Sequence, residues 1–286
     1  MASLKAIRRR IASVKSTQQI TRAMKLVAAA QLRRAQEALL NARPYHENLS
    51  AIAASVLQTD SSALAPREDA QPAALLILVA SDRAFCGGYN VNAIRKAEEE
   101  AERLQKEGLP VRLFAVGRKP VDHYKRARRP LAGEKINNLP RLATVALARE
   151  LAARALSDYQ SGQVRQVGIL YTVFRSALSQ RPTFERLLPV EPPHGEGGER
   201  ADYLMEPSRA ELIPVVLRSY LESSIYHALL EAEASEQGAR MTAMDRATNN
   251  AAEMIQRLTL DMNRARQAMI TRELMDIVGG AEALRG

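Results

Sequence analysis

Two stretches of this chain keep a helical rhythm of apolar positions for tens of residues without a helix breaker, and they lie at its two ends. Residues 1–43 contain neither Gly nor Pro, and residues 215–278 contain one breaker, Gly238. The pattern predicts a helix over residues 3–57 and another over 209–284. At ~1.5 Å of rise per residue these would span about 80 and about 110 Å. A compact domain made from the chain between them would be only about 40 Å across. The helices are therefore expected to project from that domain and to lie against each other as an antiparallel rod, because they bracket it in sequence.

The C-terminal stretch carries a seam. Alternate steps of three and four from Met241 reach Met244, Thr248, Ala251, Ile255, Leu258, Met262, Ala265, Met269, Arg272 and Asp276, most of them apolar. A period of about 3.5 residues held for that length specifies a left-handed coiled coil. The seam uses Met and Ala more than Leu and Ile, which suits close but adaptable packing. At the N-terminal end Leu4, Ile7, Ile11 and Val14 begin the same rhythm, and Ile20, Met24 and Val27 read as a shift to a second apolar face.

Between the ends the pattern changes. Most of the 14 Gly and 13 Pro fall between Pro66 and Gly198. Ala73 to Ala80 reads as a fully buried strand ending at Ser81-Asp82 and the turn Gly87-Gly88. A helix is expected over 91–107, a strand over Val111 to Val116, a helix over 141–158 and a strand over Val164 to Phe174. Thr183 to Val190 is a candidate fourth strand, and Glu191 to Arg200 reads as a loop. Strands alternating with helices imply a mostly parallel sheet. The expected fold class is α/β: a long antiparallel coiled coil of the terminal helices plus a central doubly wound (Rossmann-like) domain. The expected divisions are an N-terminal shaft helix over 1–58, the α/β domain over 72–190 and a C-terminal shaft helix over 208–286.

Composition adds exclusions. The longest apolar run, Ala73 to Ala80, is far short of the roughly 20 residues that span a membrane. The lone Cys86 rules out an internal disulfide, and His46, His123, His194 and His227 form no cluster with metal-ligand spacing. No metal or cofactor is expected. The charge is uneven: Lys5, Arg8, Arg9, Arg10, Lys15, Arg22, Lys25, Arg33, Arg34 and Arg43 stand against Glu37 alone in the first 45 residues, which accounts for the whole net charge of +9. Such a block favours an anionic partner: nucleic acid, lipid headgroups or an acidic protein surface. Arg-rich and acid-poor, it also fits an organelle transit peptide.

Candidate chemistry is sparse. Gly87-Gly88 after a buried strand invites a phosphate-binding reading, but the chain has no Gly-Lys-Ser/Thr and no G-x-G-x-x-G, so a structural turn is preferred. Cys86 with His123 could form a nucleophile and base, but no third orienting group follows from the sequence, and a buried inert thiol is preferred. A nucleotide-dependent α/β enzyme and a coiled-coil nucleic-acid binder stand as alternatives; the second would lose affinity steeply with salt.

Three segments resemble one family, the gamma subunit of F-type ATP synthases. Ile7 to Gln36 resembles its opening helix, the turn Ser81 to Asn90 (SDRAFCGGYN) resembles its internal signature, and Ser235 to Leu284, with SEQGARMTAMDRATNNA, NRARQAMIT and IVGGAEAL, resembles its C-terminal helix. The resemblance implies a non-catalytic central rotary stalk coupling a proton-driven ring to ATP synthesis. The implied partners are alternating alpha and beta subunits in a hexamer, the epsilon subunit and the c-subunit ring, with no nucleic acid and no membrane insertion. Because the resemblance begins within the first ten residues, the basic segment is expected to be mature helix, and the chain a bacterial one, peripheral at the cytoplasmic face of the inner membrane.

Residue by residue, the resemblance places Met24 against an acidic loop of beta, with Arg8, Arg9 and Lys25 near it and Cys86 approaching the same region. Arg266 and Gln267, with Thr271 one turn on, match positions that meet a catch loop of beta. Glu236 and Arg240 match polar positions implicated in coupling. Tyr203 and Glu206 fall in the foot, toward the membrane ring and epsilon. Two departures stand out: Ala84-Phe85 replaces the family's usual Gly-Leu, and Gly238 replaces a more usual Ala. Gly238 should cost its helix roughly 1 kcal/mol and permit local bending. A single cysteine also means no dithiol insert of the chloroplast kind.

Overall fold

The computed structural model describes residues 4–58, 70–136, 143–190 and 208–283. In chain order they form α1 (Leu4–Gln58), β1 (Ala74–Val79), α2 (Tyr89–Lys106), β2 (Val111–Val116), α3 (Arg118–Arg126), β3 (Gly133–Lys135), α4 (Val145–Gln160), β4 (Gln166–Ser176), β5 (Ser179–Leu188) and α5 (Arg209–Ala283). The expected loop over 191–200 lies outside the described residues.

The sheet has the order β3-β2-β1-β4-β5. The all-apolar ALLILV of β1 is buried along its whole length because the strand is central, paired in parallel with β2 on one side and β4 on the other. The fourth expected strand is longer than its apolar residues suggest and joins β4 as an antiparallel hairpin. Alternate β1 residues serve opposite cores. Leu75, Ile77 and Val79 pack with α4 and with parts of α1 and α5, while Leu76, Leu78 and Ala80 pack with α2 and Tyr124 of α3. This is the doubly wound arrangement. Elements α3 and β3 went unanticipated. Gly117 turns the chain from β2 into α3 at φ +103, and a Cβ there would stand 2.2 Å from the Ala80 carbonyl oxygen, so no other residue fits.

Packing groups Ala28–Arg240 into one compact unit and Met1–Val27 with Met241–Gly286 into another. These units divide within the long helices, whereas composition marks divisions where secondary structure changes.

In the second of these units α1 and α5 run antiparallel. Lys25 Nζ lies 2.6 Å from Asp245 Oδ1, and Thr21 Oγ1 lies 2.9 Å from Thr248 Oγ1, so one register falls as the other rises. On α1 the seam positions are Leu4, Ile7, Ile11, Val14, Gln18, Thr21 and Lys25, none of them exposed. The expected shift to Ile20, Met24 and Val27 does not occur: Ile20 and Val27 are 58% and 56% exposed, and Met24 is only half-buried. The heptad continues through polar residues instead, because Thr21 Oγ1 accepts from Thr248 Oγ1 and donates to the Gln18 carbonyl, and Lys25 meets a carboxylate. On α5 the seam from Met241 to Ala265 is covered, but Met269, Arg272 and Asp276 are exposed. The register places Leu4 opposite about residue 265, so the seam ends where α1 does.

Candidate partner-contact surfaces

Three groups of expected contact residues occupy different settings. On α1, Arg8, Arg9, Arg10, Lys15 and Arg22 are exposed, as a helix face whose opposite side fills the seam must be. Met24 is half-buried beside them. Lys25 commits its charge to Asp245 at 2.6 Å, with both side chains under half exposed. The basic face available to a partner is thus carried by arginines with Lys5 and Lys15.

At the other end of α5, every residue from 266 to 281 is exposed. Arg266, Gln267 and Thr271 lie here with Ile270, Leu274, Met275, Ile277 and Val278, which are 47% to 69% exposed. A concentration of apolar side chains on one helix segment is a surface built to be covered.

The third group is interior. Glu236 and Arg240 are each 8% exposed and form an ion pair of 2.6 Å. Arg240 also donates to Gln237 Oε1 at 3.0 Å and to the Ala84 carbonyl at 3.4 Å, which ties α5 to the turn after β1. Burial pushes the Glu236 carboxyl up from its ordinary range, and Arg240 opposes that shift. Cys86, expected to approach a partner, is 1% exposed, so its side chain makes no such contact. Its sulfur accepts from Asn90 Nδ2 at 3.2 Å and stands 3.7 Å from Ser81 Oγ, and burial raises its pKa. His123 is elsewhere, 3.5 Å from Glu98, so the nucleophile and base pairing is not assembled. The turn spends amides on itself: Tyr89 N donates to Cys86 O and Ser81 N to Asn90 Oδ1, as a structural turn would. Tyr203 and Glu206 lie outside the described residues.

Little in the residue pattern signals how deeply α5 is embedded. From Ala228 to Gly238 every residue is buried, although EAEASEQG reads as a solvated face. Small residues let the helix sit close, and its acids take backbone donors: Phe174 N donates to Glu231 Oε2 at 2.7 Å and Ala143 N to Glu233 Oε2 at 3.0 Å. Ser235 Oγ donates to the Thr172 carbonyl at 2.8 Å, and the Tyr89 hydroxyl to the Ala232 carbonyl at 3.2 Å. The available signal was alternation of acid with Ala or Ser over Glu231 to Glu236, where a solvated helix would mix in cations. Among the described residues no cluster could hold a metal ion, and no helix is long and apolar enough to cross a membrane.

Residues 3–284 match the protein family described as ATP synthase. The chain is similar to the ATP synthase gamma chain of Moorella thermoacetica, at 47% identity over 292 residues and 100% of each chain. It is also 45% identical to that of Symbiobacterium thermophilum, over 99% of this chain and 98% of the other. Among solved structures it resembles a chain of the central stalk and c-ring of the Tetrahymena thermophila mitochondrial ATP synthase, with 26% identity and a TM-score of 0.62 over 80% of this chain and 99% of that one. A chain in the OSCP/F1/c-ring structure of the Euglena gracilis enzyme shares the fold, with a TM-score of 0.68 at 20% identity over 98% of this chain and 94% of that one.

Proposed function

We propose, for a chain that belongs to the ATP synthase gamma-chain family, that it is the central rotary stalk of a proton-translocating F-type ATP synthase. It couples rotation of the c-subunit ring to ATP synthesis or hydrolysis at the beta subunits, and contributes no catalytic group of its own. The observation that carries this reading is full-length similarity to gamma chains, joined to an α5 whose apolar terminal segment is left exposed by the described residues.

The partners are the alpha and beta subunits, epsilon and the ring. Arg8, Arg9 and Met24 meet the acidic loops of beta; Arg266, Gln267 and Thr271 meet its catch loop; Tyr203 and Glu206 serve the foot. Glu236 and Arg240 act from inside, as positioning residues that hold the turn at Ala84 against α5. The complex is attached to the cytoplasmic face of a bacterial inner membrane, with this subunit peripheral. A rotor can bias its partners only through contacts whose energies differ between orientations. A basic face on one helix and an apolar end on the other supply such asymmetry.

Co-purification of a tagged chain from its native membranes tests the reading. Alpha and beta subunits should accompany it, with ATPase activity in the complex and none in the chain alone. Recovery alone, or with nucleic acid, would overturn it. A finer test is Met24→Lys, which adds charge beside an already basic face and should leave hydrolysis poorly coupled to proton pumping. Coupling equal to the parent complex would remove Met24 from the acidic-loop contact.

A further inference from the structure

A groove of about 540 Å³ lies between α2 and the β4-β5 hairpin. Lys96, Glu100 and Arg103 line its helix side, and Arg175, Arg181 and Phe184 its sheet side, so four cations face one carboxylate. Two cations are already engaged. Glu100, 9% exposed, takes Lys96 Nζ at 2.9 Å and Arg103 Nε at 2.7 Å, and the Arg103 guanidinium stands 5.6 Å from the centre of the Phe184 ring. The other two are not. Arg181 pairs with Val173 across the hairpin, and Arg175 sits where that register shifts. Both are exposed, and among the described residues neither guanidinium makes a hydrogen bond or ion pair; Arg175 lies near enough to Glu231 to favour its charge.

We propose that this groove docks an acidic peptide segment of a partner protein, held chiefly by Arg175 and Arg181. A compact anion would call for buried donors converging on one point. The buried polar side chain here is Glu100, an acid, and the two available guanidiniums are spread on the outer surface. That spacing suits successive carboxylates along a chain, each able to take a forked pair of hydrogen bonds from an arginine. Among the described residues β5 is the last strand of the sheet, so an extended segment can lie beside it. None of the residues assigned to rotor contacts above lies in the groove. Failure of this proposal would leave the rotary reading standing.

The test uses the full chain with Thr183, on the groove wall, changed to Cys. Cys86 is too buried to compete, so the parent chain sets the background. In a thiol–disulfide buffer at low salt, a tetraglutamate peptide ending in cysteine should be captured about tenfold more than its tetraglutamine equivalent, a preference that fades as salt rises. Arg175→Ser with Arg181→Ser should bring the two within about twofold. Arg126→Ser with Arg128→Ser, which removes equal charge elsewhere, should keep the preference. Equal capture of both peptides, or a preference that survives loss of Arg175 and Arg181, would overturn the proposal. So would inorganic pyrophosphate that blocks capture at concentrations comparable to the protein's, since the groove would then hold a compact anion.

Discussion

Arg240 is where one side chain holds the most together: it neutralises Glu236, donates to Gln237 and reaches the Ala84 carbonyl. Removing one member of a buried pair leaves the other charge without compensation, which costs about 3–5 kcal/mol, whereas replacing both with apolar side chains costs much less. Arg240→Ala should therefore lower the urea midpoint far more than the double change Glu236→Leu with Arg240→Leu. A single change costing under about 1 kcal/mol would mean that water reaches the pair. A second residue-scale prediction concerns His227. It stacks on His46 with ring centroids 4.5 Å apart, near Arg43 and 3.8 Å from Glu231, while His46 Nδ1 lies 3.4 Å from Ser223 Oγ, and burial followed by the His46 and Arg43 charges lowers the His227 pKa from 6.5 to about 4. Between those values the unfolded chain binds a proton that the folded chain refuses. Its contribution to stability is thus complete above pH 6.5 and lost as pH falls toward 4. Urea titrations of His227→Gln over that range should show a shallower loss than the parent. At this scale the sequence disclosed charge better than burial: the buried thiol of Cys86 was expected, but nothing in the sequence separates Lys25, committed to Asp245, from the exposed Arg22.

Elements were more legible where pattern and length agreed. The two long helices and β1, β2 and β4 follow from unbroken periodicity or unbroken apolarity. The three-residue β3 is too short to carry a pattern, and α3 hides its buried Val121 and Tyr124 among cations and begins with a proline in its first turn. Gly238 shows how an element's neighbour changes the meaning of its residues. Read alone it weakens α5 and invites bending, but α5 continues through it, and a Cβ there would stand 3.1 Å from the Phe174 ring and 3.4 Å from Ala177 Cα. The glycine admits the β4-β5 hairpin. In Gly238→Ala the gain in helix propensity, about 1 kcal/mol, should be offset by that crowding and leave stability nearly unchanged. Gly238→Leu should lose about 1–3 kcal/mol or more by overpacking. Thermal unfolding of the two variants separates these outcomes, and a tolerated leucine would show that the hairpin can move away.

For the whole molecule, the notable quantity is what the chain leaves uncovered. Residues 266–281 of α5 are exposed throughout, apolar side chains included. A chain ending at Ala265 should keep the unfolding midpoint of the Ala28–Arg240 unit within about 0.5 kcal/mol, lose far-ultraviolet helical signal for the missing turns, and aggregate less. A lowered midpoint would mean that this segment supports the remainder. The fold class was legible at this scale because composition changes twice along the chain. The uncovered end was not, because the heptad beyond Ala265 still spells a seam although the described residues of α1 reach only as far as its partner position.

The covered positions of α1 fall at alternate steps of three and four from Leu4 to Ala53 without a stutter. One inserted residue would turn everything after it by about 100° around the helix axis. Leu32 and Leu39 would then face solvent, and Arg34 would enter the seam. Seven residues would restore the phase. Length changes in this helix among related chains should therefore come in whole heptads, and a library of one- to seven-residue insertions after Gln19 should yield folded protein only at its last member.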